Sequence, residues 1–477
     1  MIKTIAFDKD FTMTINGKSV VKEQTFNAVN PATEEIIASV PEASKDDLEQ
    51  AVQSAKTVFK TWSNKTPDER GEYIYKFGEA LDRYKEELMS LLTLEQGKPR
   101  HSGAKIELDM SIQWCKEVSQ QRLDLEIIED TEQHVVEKHY TPLGVVGAIT
   151  PWNFPVLLGV WKIVPALMAG NTMVMKPSPY TPLCTLKIGE IAREVFPDGV
   201  LNVVSGGNEL GQWITEHPDI NKISFTGSTA TGKKVMASAS TNLKRITLEL
   251  GGNDAAIVLP DADPKSLVED LFWAAYGNSG QWCIAIKRLY VHEEIYDEFL
   301  YELVAFAKSI NVGNGNNPST DLGPIQNKMQ YEKVKNILED IKDTNLNIAL
   351  GGEVDDEQPG YFIPVTIVDN PPEDSRIVKE EPFGPILPVL KYNDYDDVIE
   401  RVNNTPFGLA GSVWGKDVEF AKSLARKIES GTVWVNEIHI HGTHIPFGGH
   451  KQSGFGIENS LDGLAEFTNT KVYMFKK

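Results

Sequence analysis

The sequence predicts an α/β protein built on two doubly wound sheets. From Gly144 onward, short apolar runs alternate with helix-period segments, the pattern of parallel strands joined by crossover helices. A second series of the same kind begins after Gly252. The chain also has 477 residues, more than one hydrophobic core accommodates.

Taken in order, Lys45 to Phe59 and Pro67 to Glu95 carry apolar residues at helical spacing, with acidic residues near their starts. From about Arg122 to Tyr140 the pattern becomes alternating, as in HVVEKHY, which predicts a hairpin leaving the main body. GVVGAIT then reads as a strand, VLLGVWKIVPALMAG as a helix and NTMVMKPS as a buried strand. TPLCTLKIGEIAREVF is a helix, VLNVVSG a strand and ITEHPDI a turn region, before the strand KISFTGS leads into the helix ATGKKVMASAS. In the second series DAAIVL is a strand, LVEDLFWAAYGNSG a helix, IKRLYVH a strand and IYDEFLYELVAFAKSI an amphipathic helix. LKYNDYDDVIERVNN opens another helix, and NTKVYMF alternates as a strand that can join a neighbour's sheet.

Composition narrows the classes of function. The formal charge is −21, from 47 basic and 68 acidic residues, which argues against general affinity for nucleic acid or anionic membranes. It leaves room for a phosphate-bearing ligand in a pocket with its own potential. Cys115, Cys184 and Cys283 are too few and too scattered for a disulfide framework, so a reducing, cytoplasmic setting is expected. Thr141 to Trp161 carries no charge, yet Pro142, Pro151 and Pro155 would break a spanning helix. The N-terminal residues hold charges where a signal peptide needs an apolar core. A soluble protein is expected.

Three segments can carry chemistry. Phe225-Thr226-Gly227-Ser228 closes a strand and opens a helix, giving free N–H groups for a phosphate or pyrophosphate. The run through Lys233 is close to a nucleotide-triphosphatase loop, but Lys234 stands where a hydroxyl must hold Mg²⁺. A bare strand-to-helix turn is the plain alternative. Cys283, in Asn278-Ser279-Gly280-Gln281-Trp282-Cys283, sits between a helix and a strand, where a constrained loop can present its sulfur to a cleft. Its alternative is a small buried core residue, as Cys115 and Cys184 look to be within helical patterns. Glu249, in Thr247-Leu248-Glu249-Leu250-Gly251-Gly252, is a carboxylate among apolar residues at a strand end and should resist ionisation.

With Pro151-Trp152-Asn153-Phe154-Pro155, these segments form a pattern. LELGGND around Glu249, GQWC ending at Cys283, and EEPFGP from Glu380 to Pro385 occur together in one chain. The sequence resembles the aldehyde dehydrogenase superfamily over nearly its whole length, from Asn30-Pro31-Ala32-Thr33 to Pro446-Phe447-Gly448-Gly449. The resemblance implies an aldehyde-dehydrogenase-like fold: a modified Rossmann cofactor domain and a catalytic domain, both doubly wound, with a small β oligomerisation element. The expected division is 1–122 with 141–251 for the cofactor, 252–455 for catalysis, and 123–140 with 456–477 for assembly as a homodimer or homotetramer.

The resemblance also implies a mechanism and its residues. Cys283 attacks the aldehyde, Asn153 and the Cys283 N–H hold the oxyanion, hydride passes to NAD or NADP, and Glu249 activates water against the thioester. Gly227 and Ser228 would meet the pyrophosphate, with Gly207 and Gly211 facing the adenosine half. Lys176 would bond the adenosine ribose, with Ser178 and Pro179 beside it, and Glu381 and Phe383 would hold the nicotinamide ribose. Trp152 and the Leu250 backbone would line the nicotinamide end. No metal is required. The rivals are a CoA-acylating relative and, in another class, a non-catalytic binding protein of the same fold.

This sequence departs from the family pattern in two places. Pro179 stands where many NAD-preferring members have an acidic residue that would repel a 2′-phosphate, so nothing there excludes NADP, and NAD(P) is expected with NAD slightly favoured as the commoner case. Trp282 precedes the nucleophile where smaller residues are usual, its ring either facing the substrate tunnel or buried in core. With Phe154, Leu157, Trp161 and Phe447 placed nearby by the resemblance, an apolar tunnel for aliphatic or aromatic aldehydes is expected. His439 and His441 are expected to border its entrance and set its polarity near neutral pH; the ligand supply beside them is too poor for a metal.

Overall fold

The computed structural model describes residues 5–477. Its first sheet has eight strands, in the order Lys18–Val20, Met13–Ile15, Leu201–Val203, Thr172–Lys176, Val145–Ile149, Lys222–Thr226, Arg245–Glu249 and Gly454–Phe455. The five strands from Leu201–Val203 to Arg245–Glu249 are parallel. The chain enters this set at Val145–Ile149, winds outward through two strands, then returns to build the other side. The crevice between Val145–Ile149 and Lys222–Thr226 is therefore the switch point, where ligands collect in open α/β sheets.

The second sheet runs Asn347–Leu350, Thr366–Asp369, Ile386–Tyr392, Arg288–His292, Ala255–Val258, Ala410–Trp414 and Thr432–Val435. Only its first pair is antiparallel. Leu250 to Asp254 links the sheets, so the carboxyl end of Arg245–Glu249 leads directly to the amino end of Ala255–Val258. These central strands are buried throughout, as expected of apolar runs covered by helices on both faces.

The expected hairpin is Glu126–Asp130 and His134–Pro142. The C-terminal strand Thr468–Lys476 pairs along the full length of His134–Pro142, so it extends the chain's own hairpin. Ile127, Ile128, Val472, Met474 and Phe475 on this three-stranded ribbon, with Leu125 just before it, are all exposed to 46% or more.

Four features depart from the sequence reading. ITEHPDI is not simply a turn: Asn208–Glu216 is a helix that buries Leu210, Ile214 and Thr215, and tertiary burial overrides the two weak formers Asn208 and Gly211. Pro67 to Glu95 divides into Pro67–Arg83 and Lys85–Gln96 at Tyr84, whose φ of −105° leaves the helical region. The N-terminal part contains two unforeseen hairpins, Met13–Ile15 with Lys18–Val20 and Thr25–Val29 with Ile36–Pro41. The first turns on Asn16-Gly17, with φ of 51° and 70°, a left-handed pair that suits a tight hairpin. Finally, Gly454–Phe455, expected within 252–455, joins the first sheet beside Arg245–Glu249.

Candidate active site

Cys283 lies on a loop between helix Pro264–Tyr276 and strand Arg288–His292, and the loop is tightly determined. Asn278, Ser279 and Gly280 are consecutive left-handed residues, with φ of 53°, 56° and 71°. A Cβ on Gly280 would come within 2.3 Å of the Gly384 carbonyl oxygen, so only glycine fits. Ser279 Oγ donates to Gly323 O at 2.7 Å, and Gln281 both donates to Pro324 O and accepts from Gln326 N. The Cys283 carbonyl accepts from Lys287 Nζ, whose ammonium also stands 3.3 Å from Glu381. Burial pushes the Cys283 thiol up to about 12, with Lys287 the leading opposing charge. Cys115 and Cys184 are buried in helices Lys105–Val118 and Leu183–Ala192, as expected.

Asn153 reaches this loop from the first sheet. Its side chain is buried, and Nδ2 donates to Gln281 O at 3.1 Å. One of its two amide protons is thereby used, leaving the other for a ligand. The Cys283 N–H has no protein acceptor among the described residues. Glu249 ends strand Arg245–Glu249, 4% exposed, with neither carboxylate oxygen hydrogen-bonded among the described residues. Burial and the nearby Glu458 charge raise its pKa well above the usual range, with Lys162 opposing, so the expected resistance to ionisation has a visible cause.

An aromatic wall adjoins the nucleophile. The Trp282 ring is partly exposed and lies 4.1 Å from His439 and 5.0 Å from Phe154, centroid to centroid. Trp161 meets Phe447 at 5.9 Å and His441 at 6.1 Å, while Leu157 is buried in the first turn of the same helix. Trp434, which nothing in its sequence surroundings singles out, closes the group against both histidines. The expectation that these histidines set the entrance polarity near neutral pH is corrected here. Desolvation lowers His439 to about 3 and His441 to about 4, so both rings are uncharged at neutral pH. Among the described residues, no three His, Cys, Asp or Glu side chains are grouped to hold a metal.

At the switch point lies a cleft of about 700 Å³. Trp152, Lys176, Ser178, Pro179, Gly207, Gly211, Gly227 and Ser228 all line it, so eight residues from four separate stretches of the sequence meet at one cavity. Ser228 caps helix Thr229–Ala239, accepting from Thr231 N at 3.2 Å. Lys176 is buried, its ammonium donating among the described residues only to Pro177 O, and desolvation lowers it to about 8. That underused cation and the helix N-terminus fit an anionic dinucleotide. Leu250, Glu381 and Phe383 lie outside this lining. Leu250 N donates to Ser453 O, Glu381 accepts from Gly252 N at 3.1 Å, and the Phe383 ring stands edge-on to Trp152 at 5.3 Å.

Comparison with known proteins decides the family. The profile described as "Aldehyde dehydrogenase family" matches residues 19–473. The chain belongs to the aldehyde dehydrogenase family. A putative aldehyde dehydrogenase (FUS7) of Gibberella fujikuroi is 38% identical over 473 residues, covering 99% of this chain and all of its own. The betaine aldehyde dehydrogenase of Bacillus subtilis is 40% identical over 96% of both chains. The NAD⁺ complex of an aldehyde dehydrogenase from Bacillus cereus superposes with a TM-score of 0.96 at 36% identity, covering 98% of this chain and 97% of that one. The protein is an NAD(P)-dependent aldehyde dehydrogenase, an oxidoreductase that acts on an aldehyde. No helix among its described residues is long and apolar enough to cross a membrane.

Around the expected residues this aldehyde dehydrogenase holds three buried cations that sequence reasoning passed over. Lys287 is described above. Lys162 pairs with Glu458 at 2.5 Å and also donates to Ser224. Lys98 pairs with Glu107, both side chains fully buried. A signal existed for one of them: Lys162 is the only charge in VLLGVWKIVPALMAG, and a lone lysine in a buried helix demands a partner.

Proposed function

We propose that this aldehyde dehydrogenase oxidises apolar aliphatic or aromatic aldehydes to carboxylic acids through a thioester on Cys283. The Cys283 sulfur, once its proton has gone to solvent, bonds as thiolate to the carbonyl carbon, and the oxygen takes the charge between Asn153 Nδ2 and the Cys283 N–H. A dinucleotide held in the switch-point cleft would supply the hydride acceptor for that carbon, and the acyl group would stay on the Cys283 sulfur. Glu249 takes a proton from water as the water oxygen attacks the acyl carbon, the C–S bond breaks, and Cys283 is regenerated. The unpartnered Glu249 carboxylate supports this hydrolytic reading over CoA acylation. The observation that carries the substrate class is the ring group of Trp282, Phe154 and His439, uncharged at neutral pH, beside the nucleophile.

Lys176, Ser178, Pro179, Gly207, Gly211, Gly227 and Ser228 would hold the dinucleotide in the switch-point cleft, with Trp152, Leu250, Glu381 and Phe383 at its nicotinamide end. With Pro179 in place of a carboxylate and Lys176 underused, both cofactors are taken, NAD ahead by less than about a hundredfold, or ~2.7 kcal/mol. The two sheets would serve as cofactor unit (1–122 and 141–251) and catalytic unit (252–455). The exposed ribbon of 123–140 and 456–477 would join copies as a homodimer or homotetramer. Three free cysteines suit a cytoplasmic setting. The test is a panel of aldehydes run with both cofactors, following absorbance of the reduced nicotinamide without CoA. Turnover confined to charged aldehydes, or dependent on CoA, would overturn the reading.

A further inference from the structure

Lys98 and Glu107 form an ion pair with both side chains at 0% exposure, and neither belongs to the reaction described above. Burying two charges is costly, and such a pair is weak evidence for stability, since well-packed apolar residues of the same volume often serve the fold as well. What distinguishes this pair is where its remaining hydrogen bonds go. Lys98 Nζ, 2.5 Å from Glu107 Oε2, also donates to the backbone carbonyl of Asn153 at 2.9 Å. The same ammonium stands 3.8 Å from the centroid of the Phe154 ring. Glu107 Oε1 accepts from the N–H groups of Val156 and Leu157, at 2.8 and 3.2 Å. Every side-chain hydrogen bond that leaves the pair, and the ring contact of the ammonium, therefore falls on the segment Asn153 to Leu157.

That segment needs outside support. It leaves strand Val145–Ile149 through two prolines, Pro151 and Pro155, and has no regular structure until helix Leu157–Met168 begins. The helix has no side-chain cap of its own, so Glu107 satisfies N–H groups that its own sequence does not. Lys98 is delivered by the turn after helix Lys85–Gln96, which ends at Gly97 in the left-handed region. Glu107 comes from the next helix, Lys105–Val118. The pair thus fixes one end of the segment at the Asn153 carbonyl and the other at the helix start.

The geometry points to Lys98 and Glu107 as positioning residues that hold the Asn153 amide at the distance the oxyanion requires. This rests on the oxyanion role proposed for Asn153. Asn278 Nδ2 also donates to the Asn153 carbonyl, at 3.1 Å, but it comes from the nucleophile loop and moves with Cys283. Lys98–Glu107 ties the amide instead to the body of the first sheet's helices. Its loss lets the segment drift with the loop while leaving the cofactor cleft, which neither residue lines, as it was.

The experiment compares Lys98→Met, Glu107→Gln and the apolar double variant Lys98→Met/Glu107→Leu with Asn153→Ala and with Lys98→Met/Asn153→Ala. For each, kcat and KM are measured for one apolar aldehyde, NAD affinity is read by fluorescence quenching without substrate, and thermal unfolding reports foldedness. Asn153→Ala is expected to lower kcat about 10²- to 10³-fold. In the folded pair variants kcat falls at least tenfold, with NAD affinity unchanged within twofold. On the Asn153→Ala background, Lys98→Met lowers kcat by less than a further twofold, because the group it positions is gone. A normal kcat in Asn153→Ala sinks the oxyanion reading itself. A tenfold loss there beside normal kcat in a folded pair variant sinks only the positioning proposal. Equal losses from Lys98→Met in both backgrounds, or failure of all three pair variants to fold, would place the pair in the fold alone and overturn it too.

Discussion

The Trp282 indole and the His439 imidazole are in tilted contact, 31° between planes and 4.1 Å between centroids, and His439 Nε2 is 2.9 Å from the Ile284 carbonyl. The residue before the nucleophile and the residue after it are thus held through one ring, so the wall beside Cys283 is rigid. Trp282→Val removes the face on which Phe154 and His439 rest. The kcat/KM profile over a series of straight-chain aldehydes is expected to shift toward longer chains, with benzaldehyde falling about tenfold as stacking area is lost. A profile that matches wild type would place the ring outside the tunnel.

The same histidines make folding sensitive to acid. Their folded pKa values, about 3 and 4, lie below the ordinary imidazole value near 6.5. The unfolded chain binds more protons across that window, so their contribution to stability is complete above pH 6.5 and is lost as pH falls toward 3. His439→Phe should lower the unfolding midpoint at pH 8, where the Ile284 hydrogen bond is lost, yet flatten its decline between pH 6.5 and 4. Thermal unfolding curves of both proteins at several pH values decide it. Parallel declines would show that His439 does not titrate there.

Thiol reactivity tests the surroundings of the nucleophile. With Cys283 pushed up to about 12, alkylation by iodoacetamide should rise about tenfold per pH unit from 7 to 10. Lys287→Met removes the leading charge that favours thiolate and should slow alkylation at pH 8 by about tenfold, whereas Lys287→Arg retains most of it. Peptide mass spectrometry follows Cys283 apart from the fully buried Cys115 and Cys184. Equal rates in Lys287→Met and wild type would confine Lys287 to holding the loop.

The cofactor cleft carries its own prediction. Pro179→Glu places a carboxylate beside Lys176 in the lining, where it accepts from ribose hydroxyls and repels a 2′-phosphate. The ratio of kcat/KM for NAD over NADP is expected to rise about 10- to 100-fold, mostly through loss of NADP. An unchanged ratio would mean that position 179 does not face the adenosine ribose.

Much of this site was legible because it sits where sequence pattern and backbone rules coincide. The strand ends at Ile149, Thr226 and Glu249 follow from apolar runs that stop at proline or glycine, and these ends define the switch point. Helix Asn208–Glu216 was not legible, since Gly211 weakens its propensity and its burial against neighbouring elements is a tertiary fact. Nor were Lys98 and Glu107: each reads as an ordinary solvated charge, and only the close approach of a turn and a helix strips both of water. The histidines show the opposite failure, because the residue type suggested titration near neutrality and the packing of rings around them removes it.

The central claim is that oxidation passes through an acyl group on Cys283 whose release needs Glu249. It is tested most directly by mixing Glu249→Gln with a simple aliphatic aldehyde and NAD, quenching in acid, and mapping the digest by mass spectrometry. One equivalent of reduced cofactor per site should appear quickly, with turnover then about 10²- to 10⁴-fold below wild type. The Cys283 peptide should gain the mass of the aldehyde less two hydrogens. Reduced cofactor formed in full while Cys283 remains unmodified, or an adduct on another residue, would contradict the account.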